Sequence, residues 1–498
     1  MKASGHTPLF FLAMDMMKKI PDVMLKSGLC TLAATIMFVL AGCAAPRSTS
    51  VSPIFPVPEE YVQHEKFAGG KPTRWRDYFA DPVLQRLIEQ ALDNNRDLRI
   101  AMLRVEEARA AYGIQSAEQL PTIGLQAGAA RSRTPADLNL TQHRLISSQY
   151  QTGIGMASWE LDFWGRVRGL NEAALQNYLA TDEAQRAGTL ALIVQVADSY
   201  LELAELNQRI ALARRTIASR EESYRIFSRR VALGATSRLN LTQIQTLLTQ
   251  AQALGSQLEQ LRETRLHALS LLVGGVVPAA VAENQLQLTT ALGLLDAGLP
   301  SELLSRRPDI LAAEHRLKAA SANVAAARAA FFPQITLTGS YGTASAELNG
   351  LFASGSHAWQ FAPTMTLPLF DHGRLKNNLD LNEVRRDIAV ATYEKTVQMA
   401  FRDVSDALTA RHWLYKQVEI AKTALAAQSE RARLSQLRYD SGAAAFLDVL
   451  DAQRDLLTAE QQLVQLHRAY LSSSVNLYAA LGGVAADLPS PASVVPLQ

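Results

Sequence analysis

Cysteine is nearly missing from this chain: two in 498 residues, Cys30 and Cys43. Both lie near the start, so no disulfide framework can staple the remainder. Proline is missing between Pro135 and Pro278, and again between Pro368 and Pro489. Glycine is missing as well from Arg374 to Asp440. Those gaps remove the two residues that break helices. Charge of one sign is not in excess, since the formal net charge is +2. This excludes the electrostatic footprint of a nucleic-acid binder. Beyond residue 45, no apolar run is long and charge-free enough for a bilayer-spanning helix. The nine histidines show no metal-ligand spacing. There is no phosphate-cradling glycine loop with its lysine, and no nucleophile motif. The sequence therefore carries no sign of an enzyme, a metal site or a cofactor, and any step that needs energy must draw it from a partner.

What is there begins with Arg374 to Asp440. Leu381, Val384, Ile388, Ala391, Val397, Phe401, Val404 and Leu408 recur mostly at steps of three or four. This is helix spacing. At 1.5 Å per residue it predicts one rod of roughly 100 Å. Ser441-Gly442 is a helix stop, and a second helical run extends from about Phe446 to Leu481. Together they form a long hairpin turning at Gly442. The same hairpin occurs earlier. Gly165, Arg166, Arg230, Gly234, Leu239, Gln245 and Gly274 reappear 208 residues later as Gly373, Arg374, Arg438, Gly442, Leu447, Gln453 and Gly482. Upstream, Asp97, Arg104, Ala108, Ala117 and Pro121 reappear at an offset of 212. One loop between Pro121 and Gly165 therefore differs by four residues. The chain is one elongated architecture built twice, with a period far longer than that of a solenoid.

The first stretch is a targeting segment. Lys18, Lys19 and Lys26 precede an apolar run from Leu29 to Leu40, followed by Leu40-Ala41-Gly42-Cys43. A basic start, an apolar middle and a small-residue site describe a secretory signal. Met16, Met17 and Met24 are alternative starts for this long leader. After Cys43 a Ser/Pro-rich tether shows no core-forming pattern. Structure resumes near Trp75. Asp81-Pro82 opens a short helix to Leu92, and a longer one runs from about Asp97 to Gln119.

Four segments follow a different period. Pro121 to Thr134, Ser148 to Phe163, Pro333 to Tyr341 and Trp359 to Phe370 alternate apolar and polar residues. Ile335, Leu337, Gly339 and Tyr341 against Gln334, Thr336, Thr338 and Ser340 is the clearest case. Period two gives strands with one apolar and one polar face. Each half thus holds two strands and a loop, at Arg131 to Ile146 and Gly342 to His357. Phe163, Trp164, Phe331, Phe332 and Phe370 gather where strands meet helices, as an aromatic girdle at a membrane interface would. Four strands cannot close a barrel, and open strand edges cannot sit in lipid. Three copies would supply twelve strands, and a lone long hairpin also needs neighbours to bury its apolar stripe.

A lipobox-like leader followed by two copies of helix, strand pair and long hairpin resembles the outer-membrane efflux protein family, the TolC-like exit ducts. The resemblance covers about Trp75 to Gly483. Ser305-Arg306-Arg307-Pro308-Asp309-Ile310, Ala326-Ala327-Arg328-Ala329-Ala330-Phe331-Phe332-Pro333 and Leu369-Phe370-Asp371-His372-Gly373-Arg374 are similar to its lipidated multidrug branch. The implied fold is mainly α with a small β part. It has duplicated α-helical hairpins and four β-strands per chain, in a homotrimer with a 12-stranded transmembrane β-barrel and a periplasmic α-helical barrel. The implied partners are a periplasmic membrane-fusion adaptor, an inner-membrane RND-type pump and outer-membrane lipid. The implied cargo is drugs and other small toxic molecules. Cys43 would be the lipid attachment site, carrying diacylglycerol as a thioether and an N-acyl chain such as palmitate. Ala44, rather than Asp, then favours sorting to the outer membrane.

The chain accordingly divides into a lipoprotein signal peptide (1–42), a lipid-anchored tether (43–74), a first repeat (75–275), an equatorial linker (276–304), a second repeat (305–483) and a C-terminal tail (484–498). A protein-secretion exit channel of the same fold and a structural coiled-coil envelope lipoprotein are the competing readings.

The hairpin turns lie farthest from the strands and form the periplasmic mouth. The family's adaptor contact falls on Gly234 and Leu239 in the first turn, and on Tyr439 and Gly442 in the second. Asp448 and Asp451, three apart on a helix, share a face. Around a threefold axis they would form carboxylate rings that favour cations. The first repeat offers Asn240 and Gln243 there, so acidic and amide residues would alternate. Leu447 and Leu450 are the apolar gate candidates. A basic residue in the second turn is expected to reinforce closure in some relatives, but Ala444 stands at that position.

Overall fold

The computed structural model describes residues 74–139, 142–278, 281, 292, 304 and 306–483. The leader, Cys43 and its tether, most of the 276–304 linker and the 484–498 tail lie outside the described residues. A single-turn helix α1 (Trp75–Tyr78) leads into α2 (Pro82–Asn94) and α3 (Arg96–Ala117). Asp81 caps α2 by accepting from the Val83 amide at 2.8 Å, and Pro82 occupies its first position. Then come β1 (Ile123–Thr134), β2 (Leu145–Glu160), α4 (Arg166–Ala232) and α5 (Arg238–Val273). The second copy is α6 (Pro308–Ala329), β3 (Gln334–Ser345), β4 (His357–Thr366), α7 (Arg374–Asp440) and α8 (Phe446–Ala480).

The duplication is expressed most closely in the helices. The long helices α4 and α7 each have 67 residues, and α3 and α6 each have 22. Both long helices start behind a glycine at φ +82°, Gly165 and Gly373. The predicted bounds of α7 agree with the structure, because nothing inside it breaks the helix and glycine marks both ends. Helix α4 corrects the expectation that no run beyond residue 45 is long and apolar enough to span a bilayer. It is long and apolar enough in one stretch to cross a membrane, yet 56% of that stretch is buried inside the protein. Its apolarity serves a core.

The four strands form one antiparallel sheet in the order β1-β2-β3-β4. Pairing of β2 with β3 joins the two repeats. The strands extend further than apolar alternation indicated. Strand β1 ends at Thr134 as expected, but its partner β2 already begins at Leu145, ahead of Ser148, and β3 runs on past Tyr341 to Ser345. The loops are shorter by the same amount. Backbone pairing needs no apolar side chain, so the polar ends of these strands escape a hydrophobic pattern. Strand β4 runs from His357 to Thr366 and stops before Leu367, because β3 offers no partner beyond Gln334↔Thr366.

Register sets Leu125, Ile154, Tyr341 and Trp359 in one row across the sheet. All four are exposed, Leu125 at 90% and Trp359 at 76%. The opposite face carries Gln126, Gly153, Gly342 and Ala358 in register. A Cβ on Gly153 would meet the Gly342 Cα at 2.8 Å and press on the Tyr341 carbonyl, so only glycine lets β2 and β3 approach there. Neither face of the sheet packs on a core.

The core sits at the waist, where the short arms end beside the long helices. Phe79, Leu87, Ile88, Ile193, Val196, Leu269 and Leu477 are among its fully enclosed residues. Tyr78 stacks on Tyr478 at 4.7 Å and donates to the Ser474 carbonyl at 2.8 Å. Tyr200 donates to Asp81 at 2.6 Å. Arg307, just ahead of Pro308, binds Asp309 at 2.8 Å, Asp403 at 3.4 Å and the Ala480 carbonyl at 3.1 Å. This ties the start of α6 to α7 and to the end of α8. Away from the waist the rods are thin. Leu381, Val384 and Ile388, part of the apolar stripe of α7, are exposed.

Gly274 ends α5 at φ +66°, and a Cβ there would meet the Asn94 carbonyl at 2.5 Å. Gly234 has the same φ of +66° with open space around it. Gly234→Ala should therefore cost only the left-handed backbone penalty of about 1–2 kcal/mol. Gly274→Ala should lower the thermal midpoint further. Equal midpoints for the two variants would refute the role of the Asn94 contact.

Candidate functional site: the hairpin tips

Both hairpin turns are built identically. The Ala235 amide bonds to the Arg230 carbonyl at 2.8 Å and the Gly234 amide to Val231 at 3.0 Å. In the second turn, Ala443 bonds to Arg438 at 2.8 Å and Gly442 to Tyr439 at 2.9 Å. This is the Schellman pattern, which requires the left-handed residue that Gly234 (φ +66°) and Gly442 (φ +72°) supply. Gly234, Leu239 and Gly442 are exposed at the tip, with Leu239 at 66%. Tyr439 is different, being half-buried with its ring turned toward the other hairpin.

The two tips are packed together. Phe227 of α4 lies 4.4 Å from Phe446 of α8, and Tyr439 of α7 lies 4.9 Å from Phe446. Leu450 and Ile244 complete this small core. Arg230 donates to the Tyr439 hydroxyl at 2.6 Å while its guanidinium sits over Phe227. Within the chain, Leu450 is 2% exposed and seals hairpin to hairpin, whereas Leu447 is largely exposed. The two apolar gate candidates thus have different surroundings.

The acidic pair also separates. Asp448 is exposed and has no ion-pair partner among the described residues. Asp451 is half-buried and pairs with Arg454 at 3.2 Å. Arg454 also reaches Asp455 at 3.2 Å, and Asp455 binds Arg431 of α7 at 2.7 Å. The Arg431 hydrogen bond holds Asp455 below the usual carboxylate range. On the first hairpin, Asn240 is half-buried and donates to Thr236 at 3.1 Å, and Gln243 is half-buried. Buried Arg220 donates to the Leu247 carbonyl and leaves its Nε unpartnered. Burial, helped by Arg454, lowers its pKa.

Sequence reading missed the hairpin-to-hairpin contact. A signal was available in the places where the two repeats differ. At an offset of 208, Phe227 corresponds to Ser435, Tyr439 to Val231, Phe446 to Arg238 and Leu450 to Thr242. Two identical hairpins would present identical faces to each other. Residues that pack unlike helices together must break the repeat.

Further from the tip, α4 lies along α8 through buried polar groups. Glu205 accepts from Arg209 and Arg468, each at 3.0 Å. Arg209 also donates to Gln461 at 2.6 Å. Among the described residues, no three His, Cys, Asp or Glu side chains converge as a metal set would.

A family model described as outer membrane efflux protein matches residues 87–275 and 299–483, which contain the two repeats. The chain belongs to the outer membrane efflux protein family. The solvent efflux pump outer membrane protein SrpC of Pseudomonas putida is 45% identical over 408 residues, covering 82% of this chain and 87% of that protein. Outer membrane protein OprJ of Pseudomonas aeruginosa is 43% identical over 410 residues, covering 82% and 86%. The open state of the MtrE outer membrane channel of Neisseria gonorrhoeae is 39% identical with a TM-score of 0.78, covering 87% of this chain and 96% of that one. Membership in the efflux protein family locates this chain in the outer membrane. It also makes the mainly helical chain with its small sheet one protomer of a channel fold.

Tyr439→Phe keeps the ring against Phe446 and removes the Arg230 bond, at about 0.5–1.5 kcal/mol. Faster hydrogen exchange of the turn amides 441–446 is the expected outcome, and unchanged exchange would count against a bridge between the tips.

Burial on α8 drives the pKa of His467 below the ordinary histidine value, with Lys422 adding and Glu419 opposing. A depressed histidine contributes stability that is present above its unfolded pKa of about 6.5 and lost as pH falls through the folded value. The thermal midpoint should therefore drop on acidification from about pH 7 to about pH 5, and His467→Gln should flatten that drop. Parallel curves for the two proteins would refute the assignment.

Proposed function

We propose that three copies of this chain close into one passive exit duct of a tripartite efflux system. The duct carries drugs and other small toxic molecules from a periplasmic adaptor and an inner-membrane RND-type pump to the outside. The observation that carries this reading is the unfinished sheet. Strands β1 and β4 are both edges of a four-stranded sheet that is exposed on its apolar and polar faces. In hydrocarbon each unpaired backbone group costs several kcal/mol, so the edges must find partners. Pairing β1 of one copy with β4 of the next closes a twelve-stranded barrel. Its apolar face then meets lipid and its glycine-rich polar face lines the lumen. The exposed stripe of α7 supports the same conclusion from the helical side, since it finds cover only in a neighbour. The relative SrpC, a solvent efflux pump outer membrane protein, supports the direction of transport.

In this assembly the leader 1–42 is removed, Cys43 carries diacylglycerol and an N-acyl chain, and 43–74 tethers the anchor to the first repeat (75–275). The linker 276–304 and the tail 484–498 flank the second repeat (305–483) in the chain. Gly234, Leu239, Tyr439 and Gly442 present the tips to the adaptor. Asp448, Asp451, Asn240 and Gln243 line the mouth, with Leu447 as its exposed apolar contact and Leu450 holding the two hairpins together behind it.

Single-channel recording in a planar bilayer tests the reading: a purified trimer that never conducts would end it. Asp448→Ala with Asp451→Ala should raise conductance or weaken cation preference. Asp448→Ala alone should account for most of the change, because Asp451 is already paired with Arg454. Unchanged current and selectivity in the double variant would remove the ring assignment.

A further inference from the structure

The sheet carries a charge asymmetry that conduction does not use. Between Ile123 and Thr366, the strand residues include two arginines, Arg131 and Arg133, and one acid, Glu160. Glu160 stands at the end of β2 where α4 begins, bound by Arg166 at 2.5 Å. The two arginines lie at the opposite end, on the far side from the helices. Register fixes the face on which they stand. Odd positions of β1 share a face, so Arg131 and Arg133 continue the series Ile123, Leu125, Ala127, Ala129. Across the ladder this face continues through Ile154, Tyr341 and Trp359, and it carries no Asp or Glu. In the closed barrel this is the lipid-facing side. At their height this face also carries Ser148, Ser345 and His357, so the arginines stand in a polar rim above the apolar row and have to be explained by what they meet.

Height along the strand supplies the explanation. Eight residues separate Ile123 from Arg131, and ten separate it from Arg133. At about 3.3 Å per residue and a tilt of about 40°, these lie roughly 20 and 25 Å above Ile123. An outer-membrane barrel has an apolar band about 25 Å tall. With Ile123, at the helix-side start of β1, taken as the inner edge of that band, Arg131 and Arg133 reach its outer edge, at headgroup level. Arg144 follows in the β1–β2 connection, and all three are exposed. None has an ion-pair partner among the described residues. Their one acidic neighbour in that connection is Asp137. Strand β1 is a sheet edge, so the cluster falls at the seam between protomers, beside the start of the neighbour's β4.

We propose that Arg131, Arg133 and Arg144 form a binding site for the phosphate groups of a phosphorylated glycolipid in the outer leaflet, one site at each protomer seam. Guanidinium groups bind phosphate bidentately and keep their charge, so they replace the divalent cations that otherwise neutralise neighbouring headgroups. Bound lipid covers the seam between β1 and β4 from outside. The proposal rests on the barrel reading above.

The test uses the full-length trimer, as wild type and as Arg131→Gln/Arg133→Gln, with a triple variant adding Arg144→Gln. Each is reconstituted with lipopolysaccharide in a neutral phospholipid bilayer and washed with chelator, and retained glycolipid phosphate per trimer is measured. Wild type should retain glycolipid, and the double variant should retain at least about tenfold less at equal conductance. A dephosphorylated glycolipid should bind both proteins equally and weakly. Equal retention by two conducting trimers, or wild-type retention that ignores the phosphates, would overturn this proposal alone. A wild type that neither trimerises nor conducts would overturn the barrel reading and this proposal with it. The altered side chains contact no core, so conductance of the variants serves as the folding control.

Discussion

The constraint on which the rest depends is the unpaired backbone at the two edges of a small sheet. A β-strand exposes a donor and an acceptor on alternate residues of each edge, and water satisfies them but lipid does not. Burying this sheet in a membrane alone would leave both edges of β1 to β4 unsatisfied. The association proposed above would remove the edges altogether, at the cost of ordering three chains. The same chain has a modest core at its waist and rods too slender to bury their own stripes. Its two deficits, in hydrogen bonds above and in apolar cover below, have one remedy.

The waist holds the molecule together between these needy ends. Tyr78, Tyr200, Arg307 and Asn95 each fix a helix end to a neighbouring element: Asn95 caps α3 through the Leu98 amide and donates to the Leu272 carbonyl of α5. Helix ends carry unsatisfied carbonyls and amides, so a waist where many helices stop is a place where many such groups need partners. The Arg-Pro-Asp stretch reads in sequence as a family mark. Its physical work is to pin α6 to α7 and α8.

The tips are built on a symmetry that is nearly kept. Two Schellman turns with matched geometry present similar surfaces, which suits a partner that meets both. Phe227, Tyr439, Phe446 and Leu450 depart from the repeat and hold one hairpin against the other. The contact between Arg230 and Tyr439 is exposed and therefore modest in energy. Deeper along α4 and α8, the Glu205, Arg209 and Arg468 cluster is buried and less easily parted.

Much of this was legible in the chain itself. The bounds of α7, the two turns, the duplication and the two faces of the strands follow from residue type and spacing, because helix breakers and period-two alternation act locally. The outer ends of β2 and β3, Leu145 to Ser147 and Gly342 to Ser345, were not legible, since ladder pairing needs no apolar side chain. Nor was the placing of Asp451 beside Arg454, of Leu450 between hairpins, or of Tyr439 under Arg230. Those depend on which helix faces which, and a repeat aligned only with itself says nothing of how its copies meet. The sequence by itself determined the elements and their incompleteness, through local sterics and hydrophobic period. Only the tertiary structure decided which side chains face each other, because that choice is made by packing between segments hundreds of residues apart.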